Sequence, residues 1–290
     1  MSKSISAKIV SDLLKLWPKR TPEESERRFD ELLREGEKPT PPPRTIATRH
    51  EDSANGRVFY INEKSASGYV VFYIHGGAYV YDIIAPHWLF IEKLVKATDA
   101  RVIVPAYRLV PFATYKEAYD LIVPLYQACR EACPDKKIVV MGDSVGGGLS
   151  LALTEYFKSE GIRQPDELIL LSPWVDVPME NGDIPKYASV ELFLDAEAVK
   201  PAGRRWAGDL DVHDWRISPI YGDLTGIRNA TVFVGTDGIL YPDITKCFGM
   251  LDRDANNELI VGEGMNHVYP MFPIPEAVSA DNRILQIVMR

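Results

Sequence analysis

From about residue 57 onward, the chain alternates short apolar runs with stretches of helical length. Several runs are apolar nearly throughout, as are parallel strands covered by helices on both faces. Strand–helix alternation is typical of a mostly parallel sheet with helices on both sides, so the pattern predicts an α/β fold. The predicted strands are 57–61, 69–74, 101–104, 137–141, 168–171, 231–234 and 258–261, and the predicted helices are 87–97, 115–132 and 146–158.

The first 45 residues lack this alternation. Thr21, Pro22 and Glu24 form a capping box with proline at the first helical position, which predicts a helix from about residue 21 to Gly36. A proline-rich run over 39–43 then favours extended backbone. We therefore expect an N-terminal helical cap segment at 1–45 and a main domain at 46–290. A proline-punctuated stretch at about 176–212 is expected to be an excursion from the sheet and a further piece of the cap.

A helix is also predicted before residue 17. Ile5, Ile9, Leu13 and Leu16 recur at helical spacing and would form its apolar face. Three interpretations remain open: a helix lying on the domain, a mobile cap over a pocket, or a helix at a membrane surface.

Charge and cysteine content exclude several classes of protein. The 290 residues include 33 basic and 41 acidic side chains, for a net charge of −8, which argues against a nucleic-acid-binding protein. The three cysteines predict neither a disulfide framework nor a zinc site. No apolar run reaches the roughly 18 residues of a membrane span, and the first 20 residues do not resemble a secretory signal. We expect a cytoplasmic protein with no metal, no cofactor, no nucleic-acid partner and no stable membrane anchor.

Catalytic chemistry is indicated by the Gly142-Asp143-Ser144-Val145-Gly146 motif between a predicted strand and a predicted helix. This G-x-S-x-G arrangement is typical of a sharp turn that exposes a nucleophilic serine at the sheet edge. The alternative is a glycine-rich turn that packs closely or holds a phosphate.

A serine nucleophile needs a base and an acid that orients the base. His267 follows the last predicted strand and is the candidate base. Asp237 follows the strand at 231–234 and is the candidate acid, because open α/β sheets build their sites at the carboxyl ends of strands. Asp243 is the fallback. The chain order Ser, Asp, His matches that of α/β-hydrolases.

A second loop, His75-Gly76-Gly77-Ala78, follows the strand at 69–74. Its glycines allow backbone N–H groups to turn toward one point, where they and the Val145 N–H can bind an oxyanion. We therefore predict an oxyanion hole at Gly76, Gly77, Ala78 and Val145.

Together with Tyr107-Arg108-Leu109 and Ser172-Pro173-Trp174, these motifs resemble the hormone-sensitive-lipase group of α/β-hydrolases, in particular the microbial acetyl-esterase-like carboxylesterases. The resemblance covers roughly residue 57 to the C-terminus. It implies an α/β-hydrolase fold with an N-terminal helical cap. The residues that it implies are Ser144 as nucleophile, His267 as base, Asp237 as orienter, and Gly77, Ala78 and Val145 as oxyanion donors, with Gly76 allowing the turn. Ala78 stands where the family usually has a third glycine, Val145 where it has alanine, and Gly238 where it often has proline.

The function that this implies is a serine carboxylesterase acting on small-molecule esters with short acyl chains, without a cofactor. The same triad could serve an amidase or a lactonase, and the fold also occurs in non-catalytic ligand-binding proteins. A homodimer formed through the strand near 258–261 is a family-level expectation.

Overall fold

The computed structural model describes residues 3–16 and 19–290. Within them, eight strands form one sheet in the order β1-β2-β4-β3-β5-β6-β7-β8. The strands are β1 (Thr48–Ser53), β2 (Gly56–Ile61), β3 (Tyr69–Ile74), β4 (Arg101–Tyr107), β5 (Lys137–Asp143), β6 (Glu167–Leu171), β7 (Ala230–Gly235) and β8 (Glu258–Gly262).

The sheet is mostly parallel, which confirms the predicted α/β fold. β2 runs antiparallel to both β1 and β4, and the pairs from β4 through β8 are parallel. All seven predicted strands are present. The largest difference is at β4, which continues beyond residue 104 to Tyr107. β1 was not predicted, because its sequence is polar and exposed and has no apolar alternation.

Helices cover both faces of the sheet. The three helices predicted in the main domain are present, and α4 continues through Pro124. The helices of the described residues are α1 (Ile5–Lys15), α2 (Pro22–Glu35), α3 (Ala85–Thr98), α4 (Tyr115–Ala132), α5 (Val145–Ser159), α6 (Ala196–Ala207), α7 (Tyr241–Phe248) and α8 (Pro275–Met289).

Alternating side chains of the central strands supply two separate cores. On β3, Val70 and Phe72 face the core that α4 and α5 cover, whereas Val71 and Tyr73 face the core beneath α3 and α8. The sheet is therefore fixed from both sides, and its carboxyl edge is a rigid base for the loops that follow the strands.

α1 contacts the domain with a different face from the one that its spacing predicts. Ala7 and Ser11 are buried, whereas the predicted apolar face of Ile5, Ile9, Leu13 and Leu16 is exposed. Polar contacts hold the helix, since the Ser4 backbone N–H and hydroxyl both donate to Glu276 of α8. Of the three interpretations left open, the structure therefore shows the helix lying on the domain, but with its apolar stripe turned away from the contact.

α2 begins and ends as predicted, with the Thr21–Glu24 capping box formed. Its buried Phe29 packs on α6, where the Arg205 guanidinium lies 4.2 Å from the ring centroid. Arg205 also pairs with Glu26 of α2 at 2.8 Å. The two non-sheet segments therefore contact each other, while their division from the main domain as a cap stays a prediction. None of the helices in the described residues is long and apolar enough to cross a membrane.

Candidate active site

Ser144 lies at a strained turn between β5 and α5, as the G-x-S-x-G motif predicts. Its φ of 53° and ψ of −122° are unusual for a residue with a side chain. A Cβ atom on Gly142 would lie 2.4 Å from the Gly146 carbonyl oxygen, and one on Gly146 would lie 2.1 Å from the Ile74 carbonyl oxygen. Both positions therefore require glycine. The serine is 9% exposed at the carboxyl edge of the sheet.

The loop after β3 lies beside this serine. A Cβ atom on Gly76 would be 3.0 Å from the Ser144 Cβ. The backbone turns at Gly77 (φ 117°) and stays left-handed at Ala78 (φ 52°). Among the described residues, the N–H groups of Gly77, Ala78 and Val145 have no acceptor, which leaves them available to an anion. The Gly76 N–H differs, since it donates to Asp143 Oδ1 at 3.0 Å.

Asp143 holds this loop against the Ser144 turn, a contact that the sequence analysis missed. The buried carboxylate accepts from the Tyr73 hydroxyl at 2.7 Å as well as from Gly76. His87 Nδ1 accepts the Ile84 N–H, so Nε2 carries the ring proton and donates to Asp143 Oδ2 at 3.3 Å. Burial would raise the pKa of Asp143, but His87, Tyr73 and Gly76 outweigh it and hold the pKa below 3.8. The sequence signal for this network was only that Asp143 occupies a variable position of the motif.

His267 follows β8 in a loop that contacts α1, where Asn266 Nδ2 donates to Ser11 Oγ at 3.2 Å. The residue is 6% exposed, and its neighbour Val268 donates an N–H to Ser172 Oγ at 3.0 Å. Burial lowers the pKa of His267 below 6.5, while the charges of Glu191 and Asp143 act in the opposite direction. Among the described residues, neither ring nitrogen of His267 has a hydrogen-bond partner. Both nitrogens are therefore free to form hydrogen bonds when a substrate is bound.

The two candidate acids lie in different surroundings. The Asp237 carboxylate is 22% exposed and pairs with Lys3 Nζ at 2.7 Å, while its backbone N–H donates to the Met265 carbonyl. Asp243 is buried at the start of α7 and accepts from Asn181 Nδ2 at 2.8 Å. Burial raises the pKa of Asp243 to about 6. The structure therefore places Asp237 at the predicted strand end, and its role as orienting acid stays a prediction.

Across 3–16 and 19–290, no three or more His, Cys, Asp or Glu side chains are grouped so that they could hold a metal ion.

Comparison with known proteins agrees with the fold. A family model described as an alpha/beta hydrolase fold matches residues 71–271. An esterase of Acinetobacter venetianus is 31% identical over 241 residues, which are 81% of this chain and 80% of the relative. An acetyl-hydrolase of Streptomyces hygroscopicus is 27% identical over 185 residues, with 63% of this chain and 62% of the relative covered.

A solved structure adds evidence for the fold. An esterase from the bacterial hormone-sensitive lipase family superposes with a TM-score of 0.81 at 24% identity, covering 100% of this chain and 99% of that one. The resemblance noted from the motifs is therefore confirmed by the family model and the relatives. The chain belongs to the α/β-hydrolase family, and it is a hydrolase whose named relatives are esterases and acetyl-hydrolases.

Proposed function

We propose that this protein is a serine carboxylesterase that hydrolyses short-chain acyl esters through an acyl-enzyme. One observation carries the proposal: the strained Ser144 turn lies against a loop whose Gly77 and Ala78 N–H groups have no acceptor in the described residues. Such N–H groups are suited to the oxygen anion of a tetrahedral intermediate, and one donor is typically worth about 3–4 kcal/mol in the transition state. The names of the relatives, an esterase and an acetyl-hydrolase, support the same chemistry.

In the proposed reaction, Ser144 Oγ forms a bond to the ester carbonyl carbon while the His267 ring takes the hydroxyl proton. The carbonyl oxygen becomes an anion stabilised by the N–H groups of Gly77, Ala78 and Val145. Collapse of the intermediate breaks the carbon–oxygen bond to the alcohol, which leaves with the proton from His267. Water then attacks the acyl-enzyme by the same route and releases the carboxylic acid.

The preference for short acyl chains rests on bulk beside the nucleophile. Ala78 and Val145 each carry a side chain where the family usually has a smaller residue, and Val145 is completely buried. We expect these side chains to narrow the acyl-binding space.

Hydrolysis of p-nitrophenyl acetate, butyrate and decanoate by the wild type and by Ser144→Ala tests the proposal. Ser159→Ala is the matched control, because Ser159 ends the same helix about 22 Å away. We expect faster turnover of acetate and butyrate than of decanoate. We also expect Ser144→Ala to lose activity by a factor on the order of 10⁶ and the control to retain it.

Other results would redirect the proposal. Equal or faster turnover of decanoate would contradict the short-chain preference. Hydrolysis of anilides or lactones in preference to esters would favour an amidase or a lactonase on the same residues. A folded wild type without hydrolytic activity would favour a ligand-binding protein.

The predicted dimer depends on β8, which is the last strand of the sheet and is only half-buried along its length. An unpaired edge strand can add a strand from a second copy. Sedimentation analysis tests this prediction, and a monomer at micromolar concentration would contradict it.

A further inference from the structure

Glu191 is a buried carboxylate that no motif singled out. It lies in the 176–212 excursion and is 2% exposed. Its Oε1 accepts the backbone N–H groups of Phe193 at 2.7 Å and Leu194 at 3.3 Å, and its Oε2 accepts that of Ile239 at 3.0 Å. All three partners are donors, which fits a carboxylate that accepts at both oxygens. A buried carboxylate held in this way needs an explanation.

Gly238 shows what the carboxylate faces. A Cβ atom on Gly238 would lie 3.6 Å from Glu191 Oε2 and 3.9 Å from the His267 backbone nitrogen. The carboxylate of Glu191 and the backbone of His267 therefore border the same space, which the glycine leaves empty of a side chain. Oε2 uses one lone pair on Ile239, so it retains capacity for a second donor.

Asp237, the residue before Gly238, directs its carboxylate toward Lys3 and not into this space. Its Oδ2 is 2.7 Å from Lys3 Nζ, and the side chain is partly exposed beside the N-terminal segment. Its contact with the histidine loop is made by its backbone N–H, which donates to the Met265 carbonyl at 2.9 Å.

The charges around His267 agree with this geometry. Burial lowers the pKa of His267, and Glu191 is the carboxylate that most strongly opposes this effect, ahead of Asp143. The Asp143 carboxylate is already held by Tyr73, Gly76 and His87.

We propose that Glu191, and not Asp237, is the positioning carboxylate of His267: in the reacting complex it accepts the ring N–H that does not face Ser144 and stabilises the imidazolium formed when Ser144 is deprotonated. The inference rests on the proposed esterase function. It adds that the acid comes from the excursion at 176–212, across the empty side-chain position of Gly238, instead of from the strand end.

Activity of Glu191→Gln, Glu191→Asp and Asp237→Asn on p-nitrophenyl butyrate tests the assignment. Glutamine keeps an oxygen acceptor at only one of the two positions and loses the charge, so we expect kcat to fall by a factor on the order of 10²–10⁴. Aspartate restores a carboxylate and should regain part of that loss. Asp237→Asn removes only the pairing with Lys3, and its kcat should fall by less than about tenfold, the limit set by an exposed ion pair.

Glu155→Gln is the matched control, because Glu155 is a buried glutamate that also accepts a backbone N–H, from Asp223 at 2.6 Å. Its kcat should match that of the wild type. If kcat fell as far in Glu155→Gln as in Glu191→Gln, the effect would follow from the loss of any buried glutamate. That result would overturn the proposal.

A double variant distinguishes a positioning role of Glu191 from a role in folding. The variant combines Glu191→Gln with Gly238→Asp, so that a new carboxylate would enter the space beside Glu191 and His267. A Cβ atom at position 238 fits there, because it would lie 3.6 Å from Glu191 Oε2 and 3.9 Å from the His267 backbone nitrogen. We expect kcat at least tenfold above that of Glu191→Gln alone. A purely structural role for Glu191 would not be rescued from a different chain position.

The pH profile of kcat/KM gives an independent readout. Removing the Glu191 charge should move the acid limb to lower pH, because that charge raises the pKa of His267. The assignment would be overturned if the acid limb did not move in a folded Glu191→Gln variant. It would also be overturned if kcat fell as far in Asp237→Asn as we expect it to fall in Glu191→Gln. An active Ser144→Ala would instead remove the proposed function itself, so the two failures are distinguishable.

Discussion

At the turn that carries Ser144, backbone oxygen atoms occupy the position that a side chain on Gly146 would take. Gly146→Ala would place its Cβ 2.1 Å from the Ile74 carbonyl oxygen, so β3 and α5 would have to separate. We expect a loss of about 1–3 kcal/mol in the free energy of unfolding. Urea unfolding followed by circular dichroism measures it.

Gly182→Ala is the control, because a Cβ atom there would meet nothing within 4 Å. Its stability should stay within about 0.5 kcal/mol of the wild type. Equal losses in the two variants would show that the tight approach at Gly146 is not the cause.

His267 gives a prediction for pH dependence. Burial lowers its pKa, so the ring stays neutral, and able to act as base, at a pH where an ordinary histidine with a pKa of 6.5 is already protonated. We therefore expect the acid limb of the kcat/KM profile of the wild type to have its midpoint below pH 6.5. A midpoint above that value would contradict the burial effect.

The residues of the site differ in how far sequence could predict them. Ser144 and His267 follow from a motif and from chain order. Glu191 does not, because it meets the loop after β7 only through a contact between positions 48 residues apart. Asp237 occupies the predicted position on the chain, but the direction of its side chain depends on Lys3, which the fold brings there from the N-terminal segment.

Among the elements, α2 has one buried side chain, which packs it on the rest of the molecule. Phe29 is 1% exposed and packs against α6, so Phe29→Ala should cost about 3–5 kcal/mol at that contact. We expect α2 to detach before the sheet unfolds, so that amide hydrogen exchange over 22–35 accelerates by a factor on the order of 10² or more. Mass spectrometry of peptides from this range measures the change.

The control for this experiment lies on the same helix. Leu33 is 58% exposed, so Leu33→Ala should leave exchange in α2 nearly unchanged. Comparable acceleration in the two variants would contradict the anchoring role of Phe29.

The elements that sequence predicted well are those whose burial is regular. The central strands are covered on both faces, so their apolar runs identify them directly. α1 shows the limit of this reasoning: its spacing correctly predicts a helix, yet Ser4 and Glu276 fix which face contacts the domain. Polar contacts of this kind leave no periodic signal in the sequence.

For the whole molecule, the buried Glu155 sets a pH dependence of stability. Burial raises its pKa to about 7 from 4.5, so the folded state keeps a proton that the unfolded chain releases. The group therefore costs stability increasingly as the pH rises from 4.5 through about 7. Glu155→Gln cannot ionise, so its thermal midpoint should exceed that of the wild type by several degrees above pH 7, with the difference shrinking toward pH 4.5. A difference that does not change with pH would contradict this linkage.

The β1 edge of the sheet carries charged side chains that a neighbouring chain would meet in a crowded solution. β1 carries Arg49, His50, Glu51 and Asp52 in succession, and ion pairs from Arg49 to Glu63 and from Arg57 to Asp52 keep these charges in place. A strand docking there would have to strip water from all of them, so this edge resists the edge-to-edge stacking from which aggregates grow. Replacing these charges with apolar residues would leave the fold intact but would allow this edge to pair with a strand of another chain.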